Sequence, residues 1–360
     1  MTGRNKNLAS ALKDLELDAL FITKYENQRY IEGFTGHDCF LLFSGAENFL
    51  IADSRYIEMA NRECTTAKVT PHRPPHPPLE EVTARIAEES GFRRIGFEGG
   101  SITYSQYERL SKALSEKGVA MIPTSAVIEK IRAVKEPGEA QMIERACGAA
   151  DRAMDGLFDI LKPGISELDV KVELDYLLKR GGAEDAAFDT MVLFGARASQ
   201  PHANSSWDVK LIAGDFILID YGAMVNCYKS DMTRTFVCGR ANPEQRRAYN
   251  TLKYAQAEAV ALVRPGANGR EINERTVNIL KSLAFPPFQH SIGHGVGLEI
   301  HEEPFIRHNV DVILRPGMTL TIEPGIYIPG WGGIRIEDTV LVTDKGHKIL
   351  TSFTKEMIEL

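Results

Sequence analysis

The chain predicts an α+β protein in two parts. Residues 1–128 form a smaller α/β domain. Residues 131–360 form a curved, mostly antiparallel sheet with helices on its outer face and an internal pseudo-twofold repeat. Three observations carry this prediction. The first part alternates short apolar runs with helical patterns. The second part repeats itself: Gly214-Asp215-Phe216-Ile217-Leu218-Ile219-Asp220-Tyr221-Gly222 shares its glycine, acid and glycine frame with Gly317-Met318-Thr319-Leu320-Thr321-Ile322-Glu323-Pro324-Gly325, at an offset of 103. Upstream, Pro163-Gly164 and Pro265-Gly266 match at an offset of 102. Each half therefore supplies a helix, a Pro-Gly break, a second helix and a hairpin carrying two acids.

In chain order, Asp18–Ile22 and Phe40–Phe43 read as strands, and Ser44–Asn48 turns the chain into a return strand over Phe49–Ala52. His72-Arg73-Pro74-Pro75-His76-Pro77-Pro78 reads as an ordered loop, because proline lacks the backbone donor and restricts its predecessor. Helices follow at 79–90 and 104–117, with a strand near Arg94–Phe97 between them. His37, His72 and His76 read as loop residues. Glu136-Pro137-Gly138-Glu139 starts a helix running to about Leu161. Ser166 caps the next, with Asp169 three residues on, and that helix ends in Lys179-Arg180-Gly181. The second copy places helices at Pro243–Val263 and Arg270–Leu283.

The chemistry concentrates between Asp220 and Glu337. Asp220, Asp231, Glu323 and Glu337 sit in or beside apolar strand runs, where an acid is rare unless paired or bound to a cation. Tyr221–Lys229 and Ile328–Gly333 read as equivalent bends that bring the two acids of each half side by side. Four carboxylates balance two divalent cations, and with one imidazole, His294, they suit manganese, cobalt, iron or zinc. Two such ions hold a bridging water and lower its pKa. His290 and His294 have the spacing of a helical zinc motif, but glycines at 293, 295 and 297 favour a strand or loop. The remaining histidines, His290 and His301, suit proton donation or oxyanion stabilisation, and His202 suits a substrate contact. Singly, Asp231 reads as a turn acid, His202 as a loop histidine and Arg335 as a salt-bridge partner. The repeat makes them one constellation.

This constellation resembles the pita-bread metallopeptidases, in particular the Xaa-Pro aminopeptidases and prolidases. The matching stretches are Phe188-Asp189-Thr190, Pro201-His202-Ala203, Asp220-Tyr221-Gly222, Ser230 to Phe236, His290 with Gly293 to Leu298, His301-Glu302, Glu323-Pro324-Gly325 and Arg335 to Asp338. Together they cover about 131–360. Residues 1–128 look like the creatinase-type N-terminal domain through Asn27, Tyr30, Gly33 to Gly36 and Asp53 to Tyr56. The resemblance implies a dinuclear site, most often manganese. Asp220 chelates one ion, His294 and Glu323 bind the other, and Asp231 and Glu337 bridge both. It also implies that His290 and His301 contact the scissile peptide, that His202 lines the pocket beside the proline, and that Glu323 shuttles the proton. Tyr327 and Arg335 stand behind the ligands, and the assembly is a homodimer. The activity expected is hydrolysis of the Xaa-Pro bond at peptide N-termini. The alternatives are a prolidase restricted to dipeptides, a creatinase-like hydrolase working without metal, and an inactive binding module. Two positions depart from the family's usual pattern: Lys229, beside a ligand strand, and His37, where a small residue is common.

Composition narrows the setting. The net charge is −7 with no basic run, which argues against nucleic acid. No apolar stretch approaches the ~20 residues of a membrane span. The charged N-terminal stretch argues against export. Five scattered cysteines, odd in number, fit free thiols in the cytoplasm.

Overall fold

The computed structural model describes residues 3–64, 66–286 and 288–360. It divides into two compact units, Met1–Arg132 and Ala133–Leu360.

The first unit is built on a six-stranded mixed sheet. From one edge, its strands are Ala67–His72, Asn48–Asp53, Cys39–Phe43, Ala19–Ile22, Arg94–Glu98 and Ala120–Thr124. The central strand Ala19–Ile22 is wholly buried, which is why it reads as an unbroken apolar run. Phe21, Leu42 and Ile51 pack against Val82, Ile86, Leu110 and Leu114 of the helices Leu79–Glu89 and Tyr104–Ser115. Two helices, Gly3–Asp14 and Tyr25–Glu32, were not foreseen, because both are polar on average. The loop expected from His72 starts one residue later. His72 closes the edge strand, is buried and meets the Phe40 ring edge-on. His76 and His37 are exposed, and His37 stacks on Tyr25 at 4.8 Å.

In the second unit the two copies are visible as helix pairs. Pro137–Asp155 and Glu167–Arg180 belong to the first, Pro243–Ala261 and Gly269–Ser282 to the second. Ser166 and Asp169 form a reciprocal capping box, as do Asn242 and Gln245. The first helix stops at Asp155 rather than near Leu161. A turn beginning at Gly156 follows, and Leu157 and Leu161 are buried beyond the helix end.

The strands pair antiparallel, as expected, but in separate ladders rather than one sheet. One holds Met191–Phe194, Phe216–Tyr221 and Met232–Val237. Another runs Glu302–Ile306, Gly293–Gly295, Thr319–Ile322, Asp338–Thr343 and Gly346–Ile349. Along Phe216–Tyr221 the side chains alternate between two cores. Ile217 and Ile219 join the helices of the first copy, while Phe216 and Leu218 join Leu252, Ile272 and Leu280 of the second.

Threonine hydroxyls stitch the ladders together. Thr339 Oγ1 donates to the Asp231 carbonyl at 2.8 Å, Thr233 Oγ1 to the Glu337 carboxylate at 2.6 Å, and Thr235 Oγ1 to the Arg335 carbonyl at 3.0 Å. The residue numbers rise on one side as they fall on the other, so Asp231–Thr235 lies antiparallel to Arg335–Thr339 along this seam.

Candidate metal centre

The seam carries the acids. In the second copy, Ile322 pairs with Asp338, so Glu323 and Glu337 occupy the next facing positions. The first copy differs. Asp220 faces Thr233, and Asp231 lies two residues away along the opposite strand. The side-by-side expectation therefore fails for the first hairpin, where the pair is diagonal. Gly222 helps set this register: a Cβ there would overlap the Ser230 carbonyl. Gly293 and Gly295 bracket His294 for the same reason, since side chains there would collide with the Thr321 and Glu303 carbonyls. His294 thus stands on a short strand, not on a helix.

One cavity of about 490 Å³ is lined by Asp220, Asp231, His294, Glu323 and Glu337, together with His202, His290, His301 and Arg335. Phe188, Met191, Pro201, Ala203, Ile300 and Phe305 give it an apolar wall. Asp231, His294 and Glu337 each offer a ligand atom within 4.8 Å of the others. Asp220 and Glu323 are partly open to the cavity.

The ionisation pattern shows how tightly these charges are held. Burial, then the charges of Glu337, Asp220 and Glu323, push Asp231 well above the ordinary carboxylate range. Burial and the charges of Glu323 and Asp220 do the same to Glu337. Asp220 is raised by burial against the pull of Arg335. Burial would also raise Glu323, but the hydrogen bond and charge of His294, with His290 and Arg335, outweigh it and hold Glu323 at about 2. Burial opposes the charged form of His294, yet Glu323 raises its pKa overall.

Two observations indicate that these residues fit a cation. Asp220 Oδ1 is buried with no hydrogen-bond partner, while Arg335 Nη2 donates to Oδ2 at 2.5 Å. The His294 Nδ1 lies 3.1 Å from the Gly295 carbonyl, which can only accept, so Nδ1 carries the proton. Its Nε2 is thereby aimed at Glu323 Oε1, 3.3 Å away, and Asp231 Oδ2, 3.6 Å away. Carboxylates around one neutral imidazole form an oxygen-rich donor set for a divalent transition metal.

The other histidines are placed differently. The His290 Nδ1 donates to the Ser291 carbonyl at 2.7 Å, leaving Nε2 to accept from the Tyr327 hydroxyl at 3.0 Å. Tyr327 in turn accepts from Arg335 Nη1 at 3.0 Å. Both nitrogens of His290 are therefore engaged. The ring of His301 has no hydrogen-bond partner among the described residues, and it meets His294 edge-on at 4.3 Å. Burial lowers the pKa of both, helped at His301 by His294, His202 and Lys229. His202 is an exposed part of the cavity wall. Lys229 does not line the cavity. Its N–H donates to the Gly297 carbonyl at 2.8 Å, and its charge still reaches His301.

Sequence reasoning missed the threonines and one ion pair. Thr321 Oγ1 accepts from the His294 N–H at 3.1 Å and donates to Glu323 at 3.3 Å. Thr233 Oγ1 accepts from Arg335 Nε at 2.9 Å. Each lies two positions from an acid on the same strand, a signal that alternation makes readable. Lys135 Nζ pairs with Glu302 Oε1 at 2.8 Å, fully buried, next to His301.

This donor set suits a divalent-metal centre. The model of metallopeptidase family M24 matches residues 141–344, and that of the creatinase/prolidase N-terminal domain matches residues 4–134. An Xaa-Pro dipeptidase of Pyrococcus furiosus is 36% identical over 360 residues, covering 99% of this chain and 100% of its own. Among solved structures, an Xaa-Pro dipeptidase from Bacillus anthracis superposes with a TM-score of 0.95 at 35% identity, over 99% of both chains. An X-Pro aminopeptidase from Thermotoga maritima gives 0.89 at 30% identity, over 98% of this chain and 100% of its own. The chain belongs to metallopeptidase family M24, with the pita-bread fold and a creatinase-like N-terminal domain.

Proposed function

We propose that this enzyme hydrolyses the Xaa-Pro bond at the N-terminus of peptides, including those longer than two residues, using two divalent cations, most often manganese. The observation that carries the proposal is the single cavity in which five ligand-type side chains meet His202, His290 and His301 beside an apolar wall. That wall suits a prolyl ring. An Xaa-Pro amide also lacks the N–H that general peptidases hold, so a shaped pocket must do the recognising. The names of the relatives, dipeptidases and an aminopeptidase, support the same bond.

Asp220, Asp231, His294, Glu323 and Glu337 would hold the cations, which when bound polarise the carbonyl and make water nucleophilic at neutral pH. Glu323, kept ionised by its surroundings, accepts the proton of the attacking water and returns it to the prolyl nitrogen as the C–N bond breaks. His301, with unengaged ring nitrogens, donates to the substrate carbonyl. The Tyr327–Arg335 pair fixes His290 and Asp220 in place. A homodimer and a cytoplasmic setting belong to the same proposal. The second is supported by cysteines joined in no disulfide among the described residues.

The test is elemental analysis of the purified protein, followed by turnover of an Xaa-Pro dipeptide and an Xaa-Pro tripeptide with added manganese. Metal near two equivalents and cleavage of both peptides is the expected result. Inactivity towards both in the metal-loaded protein overturns the proposal, and cleavage of the dipeptide alone replaces it with the prolidase reading. Light scattering checks the dimer.

A further inference from the structure

His290 and His301 both line the metal-centre cavity, but they are held in different ways. Both ring nitrogens of His290 are engaged, whereas the ring of His301 has no hydrogen-bond partner among the described residues. The aim of His301 therefore comes from the backbone that carries it. That backbone is the segment 296–301, between the strands Gly293–Gly295 and Glu302–Ile306. Its first end is tied to neighbouring strands. The Val296 N–H donates to the Thr319 carbonyl at 3.3 Å, and the Gly297 carbonyl accepts from the Lys229 N–H at 2.8 Å. The rest of the loop closes around a side chain. Glu302 Oε2 accepts from the Glu299 N–H at 3.2 Å, and a Cβ at Gly297 would overlap the same carboxylate. Glu302 Oε1 meets Lys135 Nζ at 2.8 Å, with both side chains buried. Neither Lys135 nor Glu302 lines the cavity.

We infer that Lys135 and Glu302 are positioning residues: the buried pair fixes the loop 296–301 from behind and so aims the His301 ring at the substrate carbonyl. This rests on the Xaa-Pro reading and deepens it. A buried carboxylate is costly without a cation beside it, so Lys135 is what lets Glu302 sit inside the loop. From there the carboxylate orients the Glu299 N–H, two positions before His301, and Gly297 leaves it the room. A donor to a developing oxyanion works only when it is already aimed, and about 1 Å of misplacement costs on the order of 100-fold in rate. A loop held in this way needs no hydrogen bond to the His301 ring itself, which leaves both ring nitrogens to the reaction. Because the pair lies behind the loop and outside the cavity, loosening it lowers kcat and spares KM.

The experiment uses the manganese-loaded full-length enzyme and the paired change Lys135→Met with Glu302→Gln, which removes both charges together and leaves neither buried alone. Glu302→Gln by itself serves as a second variant with the same expectations. Each is made with His301 intact and with His301→Ala, and kcat and KM for Ala-Pro are measured beside metal content. With His301 intact, the paired change should lower kcat about tenfold, with KM within about twofold and metal content unchanged. In the His301→Ala background, itself slow, it should cost less than about twofold more, because the group it aims is gone. Equal losses in the two backgrounds, lost metal, or full kcat in the paired variant or in His301→Ala each overturn the inference. Backbone hydrogen exchange over 296–301 needs no turnover. It should quicken in the paired variant, and exchange at the wild-type rate also overturns the inference. A wild type that cleaves no Xaa-Pro peptide overturns the Xaa-Pro reading instead, and the exchange measurement still decides whether the pair holds the loop.

Discussion

The acids of the centre do not share one charge state, because their neighbours differ. Asp231 and Glu337 are pushed up by burial and like charge, while Glu323 is held at about 2 by His294. Cation binding must therefore expel protons from Asp231 and Glu337. Calorimetry of manganese binding in buffers of different ionisation enthalpy should report net proton release that shrinks as pH rises. The sign for stability follows from the same shifts. The raised pKa values of Asp231, Glu337 and His294 give stabilisation that is present at low pH and lost as pH rises through their folded values. As pH rises above the ordinary carboxylate and imidazole pKa values, metal-stripped protein should lose Tm relative to metal-loaded protein, and a gap that narrows instead contradicts the assignment. Asp231→Asn or His294→Ala should lose bound metal and at least about 100-fold in activity while keeping the native circular dichroism spectrum. Wild-type metal content in either variant refutes its place among the ligands.

At the scale of elements, the seam of hydroxyls joins the copies alongside the backbone bond from the Glu337 N–H to the Thr233 carbonyl. Thr233→Val leaves Arg335 Nε and a Glu337 oxygen without a buried partner, and should cost about 1–3 kcal/mol in denaturant unfolding. A loss below a few tenths would mean that the seam holds by packing alone. The repeat frame was legible in sequence because a glycine, five residues and an acid recur at one offset. The diagonal setting of Asp220 and Asp231 was not, because register depends on Gly222 meeting the Ser230 carbonyl, a contact made only in the folded chain. Thr233, Thr321 and Thr339 were overlooked because threonine is ordinary in strands. Their spacing from the acids was the available clue. The helices Gly3–Asp14 and Tyr25–Glu32 escaped because their polar residues outweigh a short apolar stripe.

Across the whole molecule, the candidate metal centre lies in the unit Ala133–Leu360, which opens with a buried cation. Lys135 is paired with Glu302 across a long sequence separation that no local pattern reveals, although His301 stands beside it. Lys135→Met removes the cation that faces the buried Glu302 carboxylate and should cost about 3–5 kcal/mol, whereas adding Glu302→Gln should restore much of that loss. Equal destabilisation in the single and double variants would show that the pair is not the cause. The five cysteines take no part in the cluster of ligands, so thiol-blocking reagents applied to the folded, loaded enzyme should leave its metal content unaltered.

The hydroxyl seam has one more implication. Its threonines hold together two halves whose carboxylates repel, so the ions that serve the reaction also act as mortar between them. A copy that never acquires them keeps the shared apolar core and the Arg234–Asp338 and Arg335–Asp220 pairs, but lacks the ties between its carboxylates, and it should open more readily along that line. Limited digestion with a protease would then cut the stripped enzyme faster than the charged one. In a cell, molecules unable to work would be the first removed.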